Sequence, residues 1–287
     1  MATTTSETTS AFESGLPARR ERSGFAMAST AFFAILRRDL VVTWRDLPAF
    51  LIQVLLQPLF LMFIFGKVLP SIGFASPGFG AVLLPGIVGF TIVLTALQGV
   101  TLPLVLDLGY AREIDDRLLA PMPVQLVAIE KILFAALRGL VAGAVIFPIA
   151  YWILGSGYQV RSDDLGLLIG LMVLISLAGA SLGLALGTLI QPEQIGLMFA
   201  VIVTPMIFLG CTYYPWGTLS ALRWFQIVTL FNPLTYASEG LRYAMVPTIH
   251  GYTLPTLAIG WVLLGLGVTV IGFLVLGMRT FYRRVVN

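Results

Sequence analysis

Six apolar runs, each about as long as a bilayer is thick, constrain this sequence more than any other feature. About 20 apolar residues in an α-helix cross the hydrocarbon core of a bilayer. By this measure the sequence predicts six spans: Pro48–Gly66, Phe79–Leu106, Ile132–Leu154, Leu165–Ile190, Ile195–Tyr213 and Leu254–Leu276. Only 11% of the residues are charged, against about 25% in a soluble domain. We therefore predict an all-α integral membrane protein with six transmembrane helices, and a soluble enzyme is all but excluded.

The spans divide the chain into four predicted regions. Residues 1–26 are rich in Thr, Ser, Glu and Arg and lack the apolar core of a secretory signal, so we expect a disordered cytoplasmic tail. In residues 27–47, apolar residues recur every three or four positions and charged residues mark the other side, which indicates a helix lying in the membrane interface. An ordinary cytosolic amphipathic helix is the alternative. Residues 48–278 form the six-helix domain, and residues 279–287 form a cytoplasmic C-terminal tail.

The basic residues predict the orientation of the spans, because Lys and Arg are enriched in cytoplasmic loops. With the N-terminus inside, the cytoplasmic side carries most of them: Arg19, Arg20, Arg22, Arg37, Arg38, Arg45, Arg112, Arg117, Lys131, Arg279, Arg283 and Arg284. The outer side carries Lys67, Arg161, Arg223 and Arg242. We therefore expect both termini to face the cytoplasm.

The segment between the fifth and sixth spans predicts a re-entrant hairpin on the outer side. Its apolar run Leu219–Phe231 is too short to cross a bilayer, so two short helices that enter and leave on one side fit better. Asn232 is a suitable cap for the second helix, and Pro233 suits its first position.

Charged and aromatic side chains of this hairpin are candidates for a gate. Glu239 and Arg242 are three residues apart and can pair on one helix face. The pair either holds the hairpin shut or lines a path, and the structural pairing is favoured. Tyr236 belongs to an outer group of Tyr and Trp residues, which either anchors the protein at the interface or lines an exit path.

A stripe of small residues marks the fourth span. Gly179, Gly183 and Gly187 recur every four residues, which lets another helix backbone approach closely. Packing within one chain is favoured over a dimer contact, because small residues are common in every membrane bundle.

Residues with catalytic chemistry are scarce. One Cys, Cys211, cannot form an internal disulfide, and one His, His250, cannot supply a zinc cluster. The Gly66-Lys67 pair is followed by Val68, so it does not complete a phosphate-binding loop. We predict that the chain is no enzyme, binds no cofactor or metal itself, and cannot hydrolyse ATP unaided.

Two charged regions remain to be explained. The stretch from Asp107 to Lys131 separates the second and third spans and is either a docking helix for a soluble partner or a solvated loop. Its central charges are Arg112, Glu113, Asp115, Asp116 and Arg117. Arg138 lies inside the third span, where a charge costs at least about 2.5–3.5 kcal/mol. Contact with lipid headgroups through its long side chain is the simplest explanation.

The order of these features resembles the membrane subunits of type-2 ABC exporters, above all the daunorubicin-type drug-resistance exporters of bacteria. The resemblance covers about Phe32 to Arg284, and its most specific part is Asn-Pro-Leu-Thr-Tyr at 232–236 followed by Glu239 to Arg242. It implies a second permease subunit, as a homodimer or heterodimer, in the bacterial cytoplasmic membrane. It also implies a separate cytoplasmic ATPase subunit that binds ATP and contacts the 112–117 segment and, through Arg37 and Arg38, the N-terminal helix.

Three functions are compatible with these residues. The leading one is the permease subunit of an ATP-driven exporter for a drug, lipid or glycan-lipid. An ion- or proton-coupled carrier is the alternative, but carriers of that kind need ionisable groups near the midplane and often show repeated halves. An intramembrane enzyme is disfavoured, because no pair of acids, and no acid with a His, lies close in sequence inside a predicted span.

Overall fold

The predicted six-span architecture is confirmed. The computed structural model describes residues 24–76, 78–111, 123–161, 163–246, 248–249 and 252–286, and most of these residues are helical. Six helical segments in this part of the chain are long and apolar enough to cross a membrane: Leu47–Ser71, Phe79–Gly109, Gln125–Leu154, Leu165–Leu189, Pro192–Leu209 and Ile259–Arg284. The protein is therefore a multi-pass, all-α integral membrane protein.

The described part of the chain contains eleven α-helices. They are α1 Gly24–Arg45, α2 Leu47–Phe63, α3 Leu69–Ser71, α4 Phe79–Leu106, α5 Val124–Leu154, α6 Leu165–Leu189, α7 Ile195–Met198, α8 Thr204–Leu209, α9 Arg223–Thr229, α10 Pro233–Met245 and α11 Ile259–Val286. Stretches of π-helix extend or join them at Ile64–Val68, Asp107–Ala111 and Phe199–Val203. Turns of 3₁₀-helix occupy Gly155–Gly157, Pro192–Gln194 and Trp216–Ala221. A two-residue antiparallel pair joins β1 Thr248–Ile249 to β2 Tyr252–Thr253.

Helix α4 is the centre of the bundle. It packs against α5, α6 and α10, and nearly all of it is buried. Its sequence is apolar on every side, which is typical of a helix surrounded by other helices. The other spans therefore arrange themselves around α4, and α2, the α7–α8 segment and α11 keep large exposed faces.

The glycine stripe of α6 lies against α4 of the same chain. A Cβ atom added at Gly179 would lie 2.7 Å from the carbonyl oxygen of Val93, and one added at Gly183 would lie 2.5 Å from that of Leu97. Gly187 faces the next turn of α4. The close approach allows Thr101 of α4 to donate a hydrogen bond to the Gly183 carbonyl at 3.0 Å. The stripe thus serves contact between two helices of one chain.

Several predicted boundaries shift. Helix α5 begins at Val124 instead of Ile132, so Lys131 lies within the helix. The last span begins at Ile259 instead of Leu254, and its helix continues to Val286. Residues 279–286, predicted as a tail, are therefore helical. Arg284 in this extension donates to the Thr188 carbonyl at 2.9 Å, which satisfies a carbonyl at the end of α6.

Helix α1 lies beside the first turns of α5. Ala28 and Phe32 pack with Val127. The apolar side that the sequence predicts for this helix points away from the bundle. Its residues Phe33 and Trp44 are 66% and 75% exposed. Exposed apolar rings on a helix beside a membrane bundle are typical of an interfacial helix.

Replacing Gly183 by Leu is expected to destabilise the bundle by about 1–3 kcal/mol, because the new side chain would overlap the α4 backbone at Leu97. The measurement is thermal unfolding of the purified protein in detergent. Gly170→Leu on the same helix is the matched control, since nothing lies within 4 Å of a Cβ atom there. Equal midpoints for the two variants would contradict the packing.

Candidate functional site at the re-entrant hairpin

The predicted hairpin of two short helices is present. Helices α9 and α10 are joined by the turn at 230–232, and this turn lines a groove with Thr269 and Gly272 of α11. Gly272 lies 13 residues into α11, or about 20 Å along it at 1.5 Å per residue. The hairpin tip therefore lies near the middle of the last span, so the segment is re-entrant.

Side chains at the tip satisfy the backbone groups that the turn leaves free. Asn232 is confirmed as the cap of α10, since its side chain accepts from the Leu234 N–H at 3.0 Å. Pro233 is confirmed at the first helical position. The Asn232 amide also donates to the Met206 carbonyl at 2.7 Å, and Thr235 donates to the Leu209 carbonyl at 3.1 Å. The tip is thereby tied to α8.

Glu239 and Arg242 form the predicted ion pair, and both side chains are completely buried. Arg242 donates from Nη1 to Glu239 Oε1. Its other nitrogens donate to the Cys211 carbonyl at 3.0 Å and to the Val82 carbonyl at 3.3 Å. The guanidinium therefore joins α10 to the first turns of α4 and to the loop after α8.

The Glu239 carboxylate connects two further segments. It accepts from the Trp216 N–H at 2.9 Å through Oε1 and from the Leu257 N–H at 2.9 Å through Oε2. Carboxylate bonds to backbone N–H groups are among the stronger hydrogen bonds. We call Glu239, Arg242 and the four backbone groups they bind the clasp, because it holds the hairpin to the start of α4 and to the approach to α11.

Cys211 has a strained backbone at the clasp. Its φ of 51° lies in the left-handed region, which costs a non-glycine residue about 1–2 kcal/mol. Its carbonyl is one of the groups bound by Arg242. Burial raises the pKa of its thiol to about 11, so the thiol is protonated and unreactive near neutral pH.

A second buried ion pair lies at the end of the bundle opposite the clasp. We call this second end the ion-pair end. Lys131 Nζ lies 2.8 Å from Asp107 Oδ2, and both side chains are nearly buried. The sequence predicts these residues in an exposed charged stretch, and that prediction is wrong for both. They close the junction between α4 and α5, and a pairing 24 residues apart has no local signal in the sequence.

The predicted ATPase contacts are only partly described. Arg37 and Arg38 are exposed on α1, where Arg38 pairs with Asp39 at 3.0 Å. Because α1 packs on the start of α5, these arginines belong to the ion-pair end. Arg112, Glu113, Asp115, Asp116 and Arg117 lie outside the described residues. The structure thus brings together the hairpin residues, while the docking role of the arginines stays a prediction.

Tyr236 links the hairpin to the last span. Its hydroxyl donates to the Leu230 carbonyl at 2.8 Å, and its ring lies against Gly265 of α11. Within the described ranges, no group of three His, Cys, Asp or Glu side chains is placed to hold a metal ion. The charges of Glu239 and Arg242 are paired with each other, and Tyr236 connects the hairpin to α11.

Comparison with known proteins groups this multi-pass membrane protein with transport permeases. The chain is 27% identical over 244 residues to the transport permease ycf38 of Porphyra purpurea, covering 82% of this chain and 80% of that protein. It is also 27% identical over 203 residues to the inner membrane transport permease YadH of Escherichia coli strain K12, covering 68% and 76%.

The sequence profile of the ABC-2 type transporter family matches residues 30–246, about three quarters of the chain. The chain therefore belongs to the ABC-2 type transporter family and is the membrane subunit of an ABC transporter. Members of this family are transport subunits that work with a partner ATPase subunit. The type-2 ABC part of the predicted resemblance is confirmed, and the daunorubicin-type branch stays a prediction.

Neutralising one side of the clasp is expected to cost more than neutralising both. Glu239→Gln or Arg242→Gln leaves one buried charge unpaired, at a cost of about 3–5 kcal/mol. The double variant removes both charges, so its loss should be smaller than the sum of the two single losses. Thermal unfolding of all three variants in detergent measures this coupling.

The exposed pair Arg161 and Asp163 serves as the control for the clasp variants. Its side chains are 45% and 73% exposed, so Arg161→Gln and Asp163→Asn should change stability by less than about 1 kcal/mol. Additive losses at the clasp would contradict the assignment of Glu239 and Arg242 as one coupled unit.

Proposed function

We propose that this chain is the permease subunit of an ATP-driven exporter, which moves a hydrophobic or amphipathic substrate outward. The observation that carries the proposal is the difference between the two ends of the bundle. One end is closed by the buried clasp of Glu239 and Arg242. The other presents the exposed arginines Arg37 and Arg38 of α1, and the described chain on either side of the charged 112–117 segment ends there, at Ala111 and Pro123.

The ion-pair end is the proposed docking surface for the ATPase subunit. The charged segment connects Ala111 to Pro123, and both lie just outside the Asp107–Lys131 pair. Any force on this segment would act directly on α4 and α5, which that pair joins. ATP is a cytoplasmic nucleotide, so this end faces the cytoplasm, in agreement with its excess of Lys and Arg. Both termini are then cytoplasmic, and the membrane is the bacterial cytoplasmic membrane.

A second permease subunit, a copy of this chain or a related one, is proposed to cover the exposed faces of α2 and α7–α8. Ile52 and Phe60 are exposed on α2, and Leu197 and Val201 on the α7–α8 segment. The two faces meet at the hairpin end, where the rings of Phe65 and Tyr213 are 5.7 Å apart. A path between two such apolar faces suits a hydrophobic or amphipathic cargo, such as a drug, a lipid or a glycan-lipid.

Reversing Arg112 and Arg117 to Glu is expected to uncouple transport by at least about tenfold, because opposite charges weaken docking of the ATPase. The measurement is ATP-dependent efflux from vesicles containing both subunits, with co-purification of the ATPase as the second readout. Arg223→Glu on α9 is the control, since Arg223 is exposed at the hairpin end and should leave both readouts unchanged.

Two results would contradict this proposal. Unchanged ATP-stimulated efflux in the double reversal would remove the docking role of the 112–117 segment. Efflux that a protonophore abolishes and ATP depletion leaves intact would instead favour the ion- or proton-coupled carrier.

Cysteine cross-linking tests the subunit contact. Val201→Cys should give a cross-linked dimer with a bifunctional maleimide in membranes, whereas Val268→Cys on α11 should not. The two positions are matched, being 61% and 64% exposed. Native Cys211 is a silent background, because its side chain is completely buried and the reagent cannot reach it. Cross-linking at Val268 alone would move the contact to α11, and the mass of the product distinguishes a homodimer from a heterodimer.

A further inference from the structure

A polar cleft runs between α2, α4 and α5, on the other side of the bundle from the hairpin groove with α11. It consists of two adjoining cavities of about 230 and 150 Å³, which share Gln53, Thr95 and Gln98 in their walls. Gln57 lines the larger cavity and Arg138 the smaller. Polar and charged groups are costly inside transmembrane segments and mark functional sites when they face a cavity.

Arg138 is a cation without a counter-charge among the described residues. It lies seven residues beyond Lys131 on α5, or about 10 Å deeper in the bundle. Its guanidinium carbon is 4.4 Å from the centre of the Phe50 ring and 5.8 Å from that of Phe134. Its Nε has no hydrogen-bond partner in the described part of the chain. Lys131 and Arg242, by contrast, are both paired with carboxylates.

Thr95 offers a second free donor at the same place. Its side chain is 3% exposed, yet its hydroxyl has no partner among the described residues. One turn earlier, Thr91 donates to the Ile87 carbonyl at 2.8 Å, which is the usual arrangement for a buried helical threonine. The Thr95 hydroxyl is therefore available to a ligand in the cleft.

The cleft also contains hydrogen-bond acceptors. Pro58 and Pro103 lie within α2 and α4 and have no N–H to donate to the carbonyl four residues earlier. Those carbonyls belong to Val54 and Gly99, and both residues line the cleft. A ligand that suits this site therefore carries negative oxygens and also hydroxyl groups.

We propose that the cleft binds the phosphodiester headgroup of an anionic, hydroxyl-bearing amphiphile. The planar guanidinium of Arg138 takes the phosphate oxygens, and Thr95 and Gln98 donate beside it. The headgroup hydroxyls reach the Val54 and Gly99 carbonyls, and the chains lie along Leu137 and Val141, which are exposed on α5. This binding site is independent of the transport cycle proposed above, and its occupancy is measured without transport.

Native mass spectrometry of the full-length chain in a neutral detergent tests the site. The probes are dioleoyl phosphatidylglycerol, dioleoyl phosphatidylcholine and inorganic phosphate. Phosphatidylglycerol should bind the natural sequence, and Arg138→Gln should weaken that binding by about tenfold or more, as expected for loss of a charge-assisted contact. Arg223→Gln, which removes an exposed charge elsewhere, should bind the lipid as the natural sequence does.

Thr95→Val provides an independent variant, because it keeps the side-chain shape and removes only the hydroxyl. It should weaken phosphatidylglycerol binding several-fold while the protein elutes as a single species. Equal lipid binding by Arg138→Gln and Arg223→Gln would overturn the proposal. Equal binding of phosphatidylcholine would overturn the requirement for an anionic headgroup, and displacement of the lipid by millimolar phosphate would show that the site recognises free phosphate instead.

Discussion

Neutralisation of charge inside the membrane is the constraint on which the rest of this structure depends. An isolated charge at the centre of a transmembrane helix costs at least about 2.5–3.5 kcal/mol. Two buried ion pairs, Asp107 with Lys131 and Glu239 with Arg242, meet this constraint for four of the charges. The first closes the end of α4 against α5, and the second connects the first turns of α4 to the hairpin. Both ends of the central helix are thereby held by electrostatic contacts, and its middle by close packing.

The hairpin follows from a related requirement. Backbone groups in lipid must find partners inside the protein, so irregular chain at membrane depth survives only where side chains or neighbouring segments satisfy it. Asn232, Thr235 and Glu239 supply these partners at three levels of the hairpin. A movement that opens this end of the bundle would have to separate several of these bonds together.

Local sequence patterns were sufficient for much of the fold and for part of the site. Apolar run length located the six spans, and Asn232-Pro233 located the start of α10, because capping is a local interaction. The spacing of Glu239 and Arg242 predicted their pairing for the same reason. The start of α5 was misplaced because Lys131 reads as a boundary charge when its partner, 24 residues away, is unknown. The four backbone groups of the clasp could not be predicted from the sequence either, because they come from segments that are distant along the chain.

What the sequence by itself determined is the class of protein: an all-α membrane bundle of six spans, with a hairpin of two short helices between the fifth and the sixth. These properties follow from composition and short-range periodicity. Only the tertiary structure decided which charges are neutralised and which are left unpaired, because that depends on contacts between helices. It placed Lys131 beside Asp107 and left Arg138 facing a polar cleft. Lys131 and Arg138 are both basic residues of α5, and their different neighbours in space give them different roles.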